Sequence, residues 1–149
     1  YPSDGFHANG WSLIRKILEA NPGLIDDDEW VDFLAPTRLY HDVVDGLRKR
    51  SVNVKAFAHI TGGGLPENLE RLLNEKGADI TIPRWDLGAV GKVLSFVEDS
   101  EAVKTFNMGF GWVAVVPADM ADEAVSFHEG AMVIGTVDDS GKVQVKVSS

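Results

Sequence analysis

The sequence predicts an α+β domain in which helices cover a mixed β-sheet. Three observations carry this: apolar residues recur at helical spacing in several separate segments, short β-branched runs alternate with those segments, and two strand-like stretches close the chain around a turn. The chain has 149 residues, 44% of them hydrophobic, enough for one core, and no linker, repeat or low-complexity tract divides it.

Taken in order, Ser3-Asp4-Gly5-Phe6-His7-Ala8-Asn9-Gly10 reads as a glycine-punctuated loop. Trp11, Leu13, Ile14, Ile17 and Leu18 then trace a helix that stops at Asn21-Pro22-Gly23, with Asn9 or Ser12 as its cap. Asp26-Asp27-Asp28-Glu29 precede Trp30-Val31-Asp32-Phe33-Leu34, where acidic residues suit the first turn of a helix over 26–35. Consecutive acids point in different directions on a helix, which argues against reading them as a metal site. After Pro36-Thr37, a further helix is marked by Leu39, Val43, Val44 and Leu47, with Arg38 and Tyr40 at its start within reach of a neighbouring loop.

The organising stretch is Lys55-Ala56-Phe57-Ala58-His59-Ile60-Thr61-Gly62-Gly63-Gly64-Leu65-Pro66-Glu67-Asn68. Val54, Ala56, Ala58 and Ile60 share one face of a strand. Pro66 suits the first turn of a helix striped by Leu65, Leu69, Leu72 and Leu73 and ended by Gly77. Three residues without side chains lie between strand and helix, so backbone N–H groups can approach an anion, and the helix N-terminus adds unpaired donors. Triple glycines also occur in mobile surface loops, and these residues alone leave both readings open.

Ile80 and Ile82 outline a short strand stopped by Pro83, and Leu87, Val90, Val93, Leu94 and Val97 an amphipathic helix weakened by Gly88 and Gly91. A short helix is expected over 100–106. Asn107 to Pro117 reads as the best strand, with Gly109 and Gly111 on one face, open to a ligand or to a packed helix. Asp119 to His128 reads as a helix with His128 as a partner of its dipole. Residues 131–137 and 142–147 form two strands around Asp138-Asp139-Ser140-Gly141, predicting a terminal hairpin, and a further strand is expected upstream of Tyr1.

Charge and composition narrow the functions. A net charge of −9 and a pI near 4.8 disfavour nucleic acid and anionic membranes as partners, so any phosphate must be met by local groups. Cysteine is absent, and the four histidines lack zinc-motif spacing, so no metal site is expected. Apolar runs too short to span a bilayer and an N-terminus without a leader pattern point to a cytoplasmic setting, and the chain reads as a piece of a longer protein.

Four segments in order resemble the C-terminal domain of AIR synthetase, phosphoribosylformylglycinamidine cyclo-ligase. They are Gly5-Phe6-His7-Ala8-Asn9-Gly10 followed by Ser12-Leu13-Ile14-Arg15-Lys16, Pro36-Thr37-Arg38-Leu39-Tyr40, Ala58-His59-Ile60-Thr61-Gly62-Gly63-Gly64, and Phe106-Asn107-Met108-Gly109-Phe110-Gly111. The resemblance covers nearly the whole chain. It implies a single domain over 1–149 with a three-layer α/β/α, partly ferredoxin-like architecture, packed in the full enzyme against an N-terminal domain that this chain lacks. That domain would supply most of the ATP and Mg2+ site and a homodimer interface. The activity implied is ATP-dependent closure of formylglycinamidine ribonucleotide to aminoimidazole ribonucleotide, with the isolated fragment inactive. His7 and His59 are the implied catalytic residues; Ser3, Gly5, Asn9, Gly10, Thr61, Gly62, Gly63, Gly64, Asn107 and Gly109 are the implied substrate- or phosphate-binding residues. Asp4 and Ala8 depart from the family pattern, which has serine at both places, and Asp4 brings a negative charge to a proposed phosphate loop. The alternatives are another ATP-using relative of the fold, such as selenophosphate synthetase, thiamine-monophosphate kinase or formylglycinamidine ribonucleotide synthetase, or a non-catalytic anion-binding or dimerisation module.

Overall fold

The computed structural model describes residues 1–84 and 86–148, with the backbone alone at Asp32; Trp85 and Ser149 of the expected 1–149 domain lie outside the described residues. The helices are α1 (Trp11–Ala20), α2 (Trp30–Phe33), α3 (His41–Lys49), α4 (Gly64–Leu73), α5 (Gly88–Leu94), α6 (Asp99–Thr105) and α7 (Ala121–Ser126). The strands are β1 (Ala56–His59), β2 (Gly77–Ile82), β3 (Trp112–Val115), β4 (Gly135–Asp138) and β5 (Val143–Val147).

The helices and strands bear out the α+β class, but the single sheet is replaced by two. β1 and β3 form an antiparallel pair with Ala58 opposite Val113. The second sheet has the order β4-β2-β5 and is mixed: β2 runs antiparallel to β4 and parallel to β5. The expected terminal hairpin is therefore wrong. β4 and β5 lie on opposite sides of β2, because the alternating residues Ala78, Ile80 and Ile82 bury one face of β2 and make it the natural centre of the sheet.

Further corrections are local. The strand expected over 107–117 is confined to Trp112–Val115, because Met108 and Gly109 turn through positive φ (52° and 88°), so Gly109 and Gly111 do not share a strand face. Neither Asn9 nor Ser12 caps α1; Gly10 occupies the cap with φ 72° and no side-chain bond. The acidic run precedes the short α2 rather than filling its first turn, and Glu29 instead accepts the Asp26 N–H at 2.9 Å and the Lys92 ammonium at 2.6 Å. α4 ends at Asn74, which takes the positive φ of 57°, and Gly77 opens β2. The helix expected over 119–128 is a 3-10 turn, Ala118–Met120, leading into α7.

Core side chains follow these elements. Ala58, Ile60 and Phe110 pack with Leu65 and Leu69 of α4 and with Ile80 of β2. On the other face of the β1–β3 pair, Phe57, Trp112 and Ala114 meet Val43 and Leu47 of α3 and Ala124 of α7. A third cluster joins α1, α2, α5 and α6 through Phe6, Ile14, Phe33, Val93 and Phe106. Each such large apolar side chain contributes about 1.5–3 kcal/mol of burial. Among the described residues no helix is long and apolar enough to cross a membrane.

Candidate functional site

The loop over 3–10 is pinned from three sides. The Ser3 N–H donates to the Gly109 carbonyl at 2.8 Å, and the Asn107 amide donates to the Gly5 carbonyl at 2.8 Å. Asn107 Oδ1 in turn accepts the Gly109 N–H at 2.9 Å and the Ser3 hydroxyl at 3.1 Å. From the segment leading into α3, Tyr40 Oη donates to the Pro2 carbonyl at 2.8 Å, and the Arg38 guanidinium reaches Asp4 at 3.4 Å and Asp42 at 3.1 Å. The departure at Asp4 is thus partly neutralised by Arg38, and the expected reach of Arg38 and Tyr40 to a neighbouring loop is realised. Phe6 is buried against Phe33 and Phe106, and Trp11 Nε1 donates to the His7 carbonyl at 2.8 Å, so the loop enters α1 in one conformation.

The three glycines of the second loop have three different reasons. Around Gly62 a β-carbon would meet nothing within 4 Å, so its backbone is open to approach. Gly63 caps α4 at φ 87°, the left-handed conformation that L residues adopt only at a cost of order 1 kcal/mol. Gly64 lies against the Val103 carbonyl of α6, where a side chain has no room. Asn68, buried one turn into α4, donates to the carbonyls of Gly64 at 2.7 Å and of Thr61 and Gly62 at 3.2 Å each, and its Oδ1 accepts the Thr61 hydroxyl at 3.2 Å. Glu67 folds its carboxylate over Gly63 and pairs with Arg71 at 3.8 Å, meeting the positive end of the α4 dipole.

Between the loops stands a cluster of rings. His7 and His59 have centroids 6.1 Å apart, and Tyr40 stacks on Trp112 at 5.3 Å with an interplanar angle of 19°. His59 lies 6.0 Å from Tyr40 and 5.9 Å from Trp112. Gly111 is the floor of this cluster: a β-carbon there would overlap the Tyr40 hydroxyl and lie 2.8 Å from His7 Cε1. His7 is only 7% exposed, yet neither of its ring nitrogens has a partner among the described residues, and the Trp112 indole N–H is also unpartnered. Buried polar atoms are rarely left unpaired, so such a group marks a place where a ligand or water supplies the bond. Burial first, and then the neighbouring His59, push the His7 pKa below the usual histidine value, with Asp4 opposing. The His7 ring is therefore neutral near pH 7, with one N–H to donate and one lone pair to accept.

The structure brings Ser3, Gly5, Asn107 and Gly109 into one hydrogen-bonded unit, with His7 on the same loop and the His59 ring 6.1 Å from that of His7. Asn9 is buried behind the loop and Gly10 lies against the Phe106 ring, so both shape the turn into α1. The sequence reading gave no role to Asn68 or Trp112. Asn68 left a faint signal, a short amide side chain inside a good helix, where it competes with the backbone unless it is used. Trp112 left none, since its place opposite His59 follows from the β1–β3 register. Among the described residues no group of three or more His, Asp or Glu could hold a metal ion.

The fold and site define the class: an α+β domain whose glycine-bearing loops flank a buried imidazole that has no hydrogen-bond partner among the described residues. The chain belongs to the family described as AIR synthase related protein, C-terminal domain, whose model matches residues 1–148. It is 38% identical to a phosphoribosylformylglycinamidine cyclo-ligase of Picosynechococcus sp., over 91% of this chain and 45% of the relative. Enzymes of the same name from Synechocystis sp. and Citrifermentans bemidjiense are 37% and 39% identical, over 91% and 94% of this chain and 44% and 45% of theirs. The chain therefore spans less than half the length of these curated relatives.

Proposed function

We propose that this domain is the C-terminal part of an ATP-dependent cyclo-ligase that closes formylglycinamidine ribonucleotide to aminoimidazole ribonucleotide in purine biosynthesis. The observation that carries the reading is His7, buried on the first glycine loop with neither ring nitrogen partnered among the described residues and His59 at 6.1 Å. Phosphorylation of the formyl oxygen, supplied by ATP, converts it to a leaving group. The amidine nitrogen then bonds to that carbon, the carbon–oxygen bond breaks with release of phosphate, and the proton leaving the nitrogen passes to an imidazole. His7, held neutral by burial, suits that acceptor role, and His59 on the exposed end of β1 suits its relay to solvent.

Phosphate oxygens are held at the open backbone of Gly62 and by donors of the loops over 3–10 and 61–64, with Ser3, Gly5, Asn9, Gly10, Thr61, Gly63, Gly64, Asn107 and Gly109 shaping those loops. The described residues do not fit a Mg2+ site, because no group of three or more acidic or histidine side chains among them could hold a metal ion. Mg2+ and most of the ATP contacts accordingly belong to an N-terminal domain, which also supplies a homodimer interface in a cytoplasmic enzyme. Within this domain, helices on both faces of the β1–β3 pair support the three-layer α/β/α reading with partly ferredoxin-like topology.

In the full-length enzyme, His7→Ala and His59→Ala should each lower turnover by roughly 100-fold or more and flatten the pH–rate profile near neutrality, with unchanged melting. Turnover within about 3-fold of the parent enzyme for both folded variants would refute the assignment.

A further inference from the structure

The segment ahead of α3 and the turn after α7 meet at one guanidinium. Both hydrogens of Arg38 Nη2 are used, one on Asp42 Oδ2 at 3.1 Å and one on His128 Nε2 at 2.9 Å. Nη1 reaches Asp4 Oδ1 at 3.4 Å, and the guanidinium carbon lies 5.8 Å from the centre of the Tyr40 ring. Three segments far apart in the chain thus share one cation.

Arginine only donates, so Nε2 of His128 presents its lone pair. The other ring nitrogen lies 2.7 Å from the Glu129 carbonyl, which only accepts, so Nδ1 carries the proton. The two contacts together define a single neutral tautomer. Asp42 stands 3.6 Å from Nε2, outside hydrogen-bond reach, and pairs with Arg38 instead. His128 lies past the end of α7, and its ring packs edge-on against Tyr1 at 5.5 Å and Phe127 at 6.3 Å.

The partners of Arg38 differ in what they can fix. The side chains of Asp4 and Asp42 are 48% and 54% exposed, and ion pairs so open to water are weak and loosely placed. The His128 side chain is 11% exposed, which makes its contact with Arg38 the shielded one. Two carboxylates also outweigh one guanidinium charge, so Arg38 is a poor clamp for a phosphate. Its use is to hold Asp4, which stands directly before Gly5 in the loop that carries His7.

We propose that His128 is a positioning residue for the first glycine loop: as its Nδ1–H tautomer it steadies Arg38, and Arg38 in turn fixes where the Asp4 carboxylate stands relative to the His7 ring. The consequence falls on the protonation of His7. That ring faces His59 from β1 and the Tyr40 hydroxyl from the segment before α3. Burial and His59 hold the His7 pKa down, and the charge of Asp4 opposes them. A carboxylate held by Arg38 opposes weakly, and a released one opposes more strongly. This holds whatever reaction the loop serves.

The test uses the full polypeptide labelled with 15N at histidine, where long-range 1H–15N correlations read the tautomer of each ring. His128 should carry its proton on Nδ1, and a proton on Nε2 at neutral pH overturns the proposal. In His128→Ala the titration of His7 should move to higher pH. In His128→Gln, whose side-chain carbonyl can accept the Arg38 N–H, it should return to the parent value. A role in packing alone moves the titration equally in both variants; that result, or no movement in His128→Ala, overturns the proposal. Arg38→Gln releases Asp4 without touching His128 and should raise the His7 midpoint as well, so an unchanged midpoint there also overturns it. Asp4→Asn, at an exposed position, should lower the midpoint, and adding His128→Ala to it should then cause no further shift. A shift of equal size with and without the Asp4 charge would show that His128 does not act through Asp4, which overturns the proposal.

Discussion

A polypeptide that begins at Tyr1 should become more stable as pH rises from about 6 to 8. Its amino group is buried, donates to the Trp112 carbonyl at 2.8 Å and is pushed from 8.0 down to about 6, by burial first and by Arg38 second. In the unfolded chain the group keeps its ordinary value, so between the two values the unfolded state binds more protons and stability rises with pH. Above about 8 both states are neutral and nothing more is gained; below about 6 both are protonated and the full penalty applies. A shift from 8.0 to about 6, at about 1.4 kcal/mol per pH unit, gives an upper limit of about 2.7 kcal/mol. For a domain of this length that corresponds to roughly 5–10 °C in melting temperature. His7, whose pKa is also lowered by burial, adds a slope of the same sign below its ordinary value. Urea titrations across this range, on the free chain and on one acetylated at Tyr1, separate the two contributions. A flat or falling stability in the free chain, or an equal rise after acetylation, would refute the assignment to the amino group.

Three substitutions probe the rest of the site. Gly111→Ala places a methyl against the Tyr40 hydroxyl and His7 and should cost about 2–4 kcal/mol through overpacking and loss of the Tyr40–Pro2 bond; a denaturant midpoint unchanged from the parent would show the ring cluster to be loosely packed. Gly62→Ala should leave stability within about 0.5 kcal/mol, because the position is open, while weakening binding of sulfate or phosphate measured by calorimetry; undiminished anion binding would remove Gly62 from the phosphate loop. Glu67→Gln removes the carboxylate folded over Gly63 and should tighten anion binding by roughly 2–5-fold, and weaker binding would place the anion elsewhere.

Much of the domain is legible from local pattern because local physics sets it. The apolar stripes of α1, α3 and α4 and the strand at Ala56–His59 all follow from spacing and residue type. The motifs that mark the family are contiguous stretches for the same reason, and the reach of Arg38 and Tyr40 toward the loop over 3–10 follows from their place at a helix start. What local pattern misjudged depends on partners distant in the chain. β4 and β5 carry the signature of a hairpin, yet β2 lies between them, since burying Ala78, Ile80 and Ile82 outweighs pairing across a short turn. Asn107 to Pro117 reads as one strand until the Asn107 amide binds Gly5 and Gly109 and turns the chain. The three glycines at 62–64 look alike in the chain; only α6 behind Gly64, the cap at Gly63 and open space at Gly62 distinguish them. The pairing of His7 with His59 and the stranded His7 nitrogens arise where segments some fifty residues apart meet, because burial and hydrogen-bond satisfaction are properties of the packed whole.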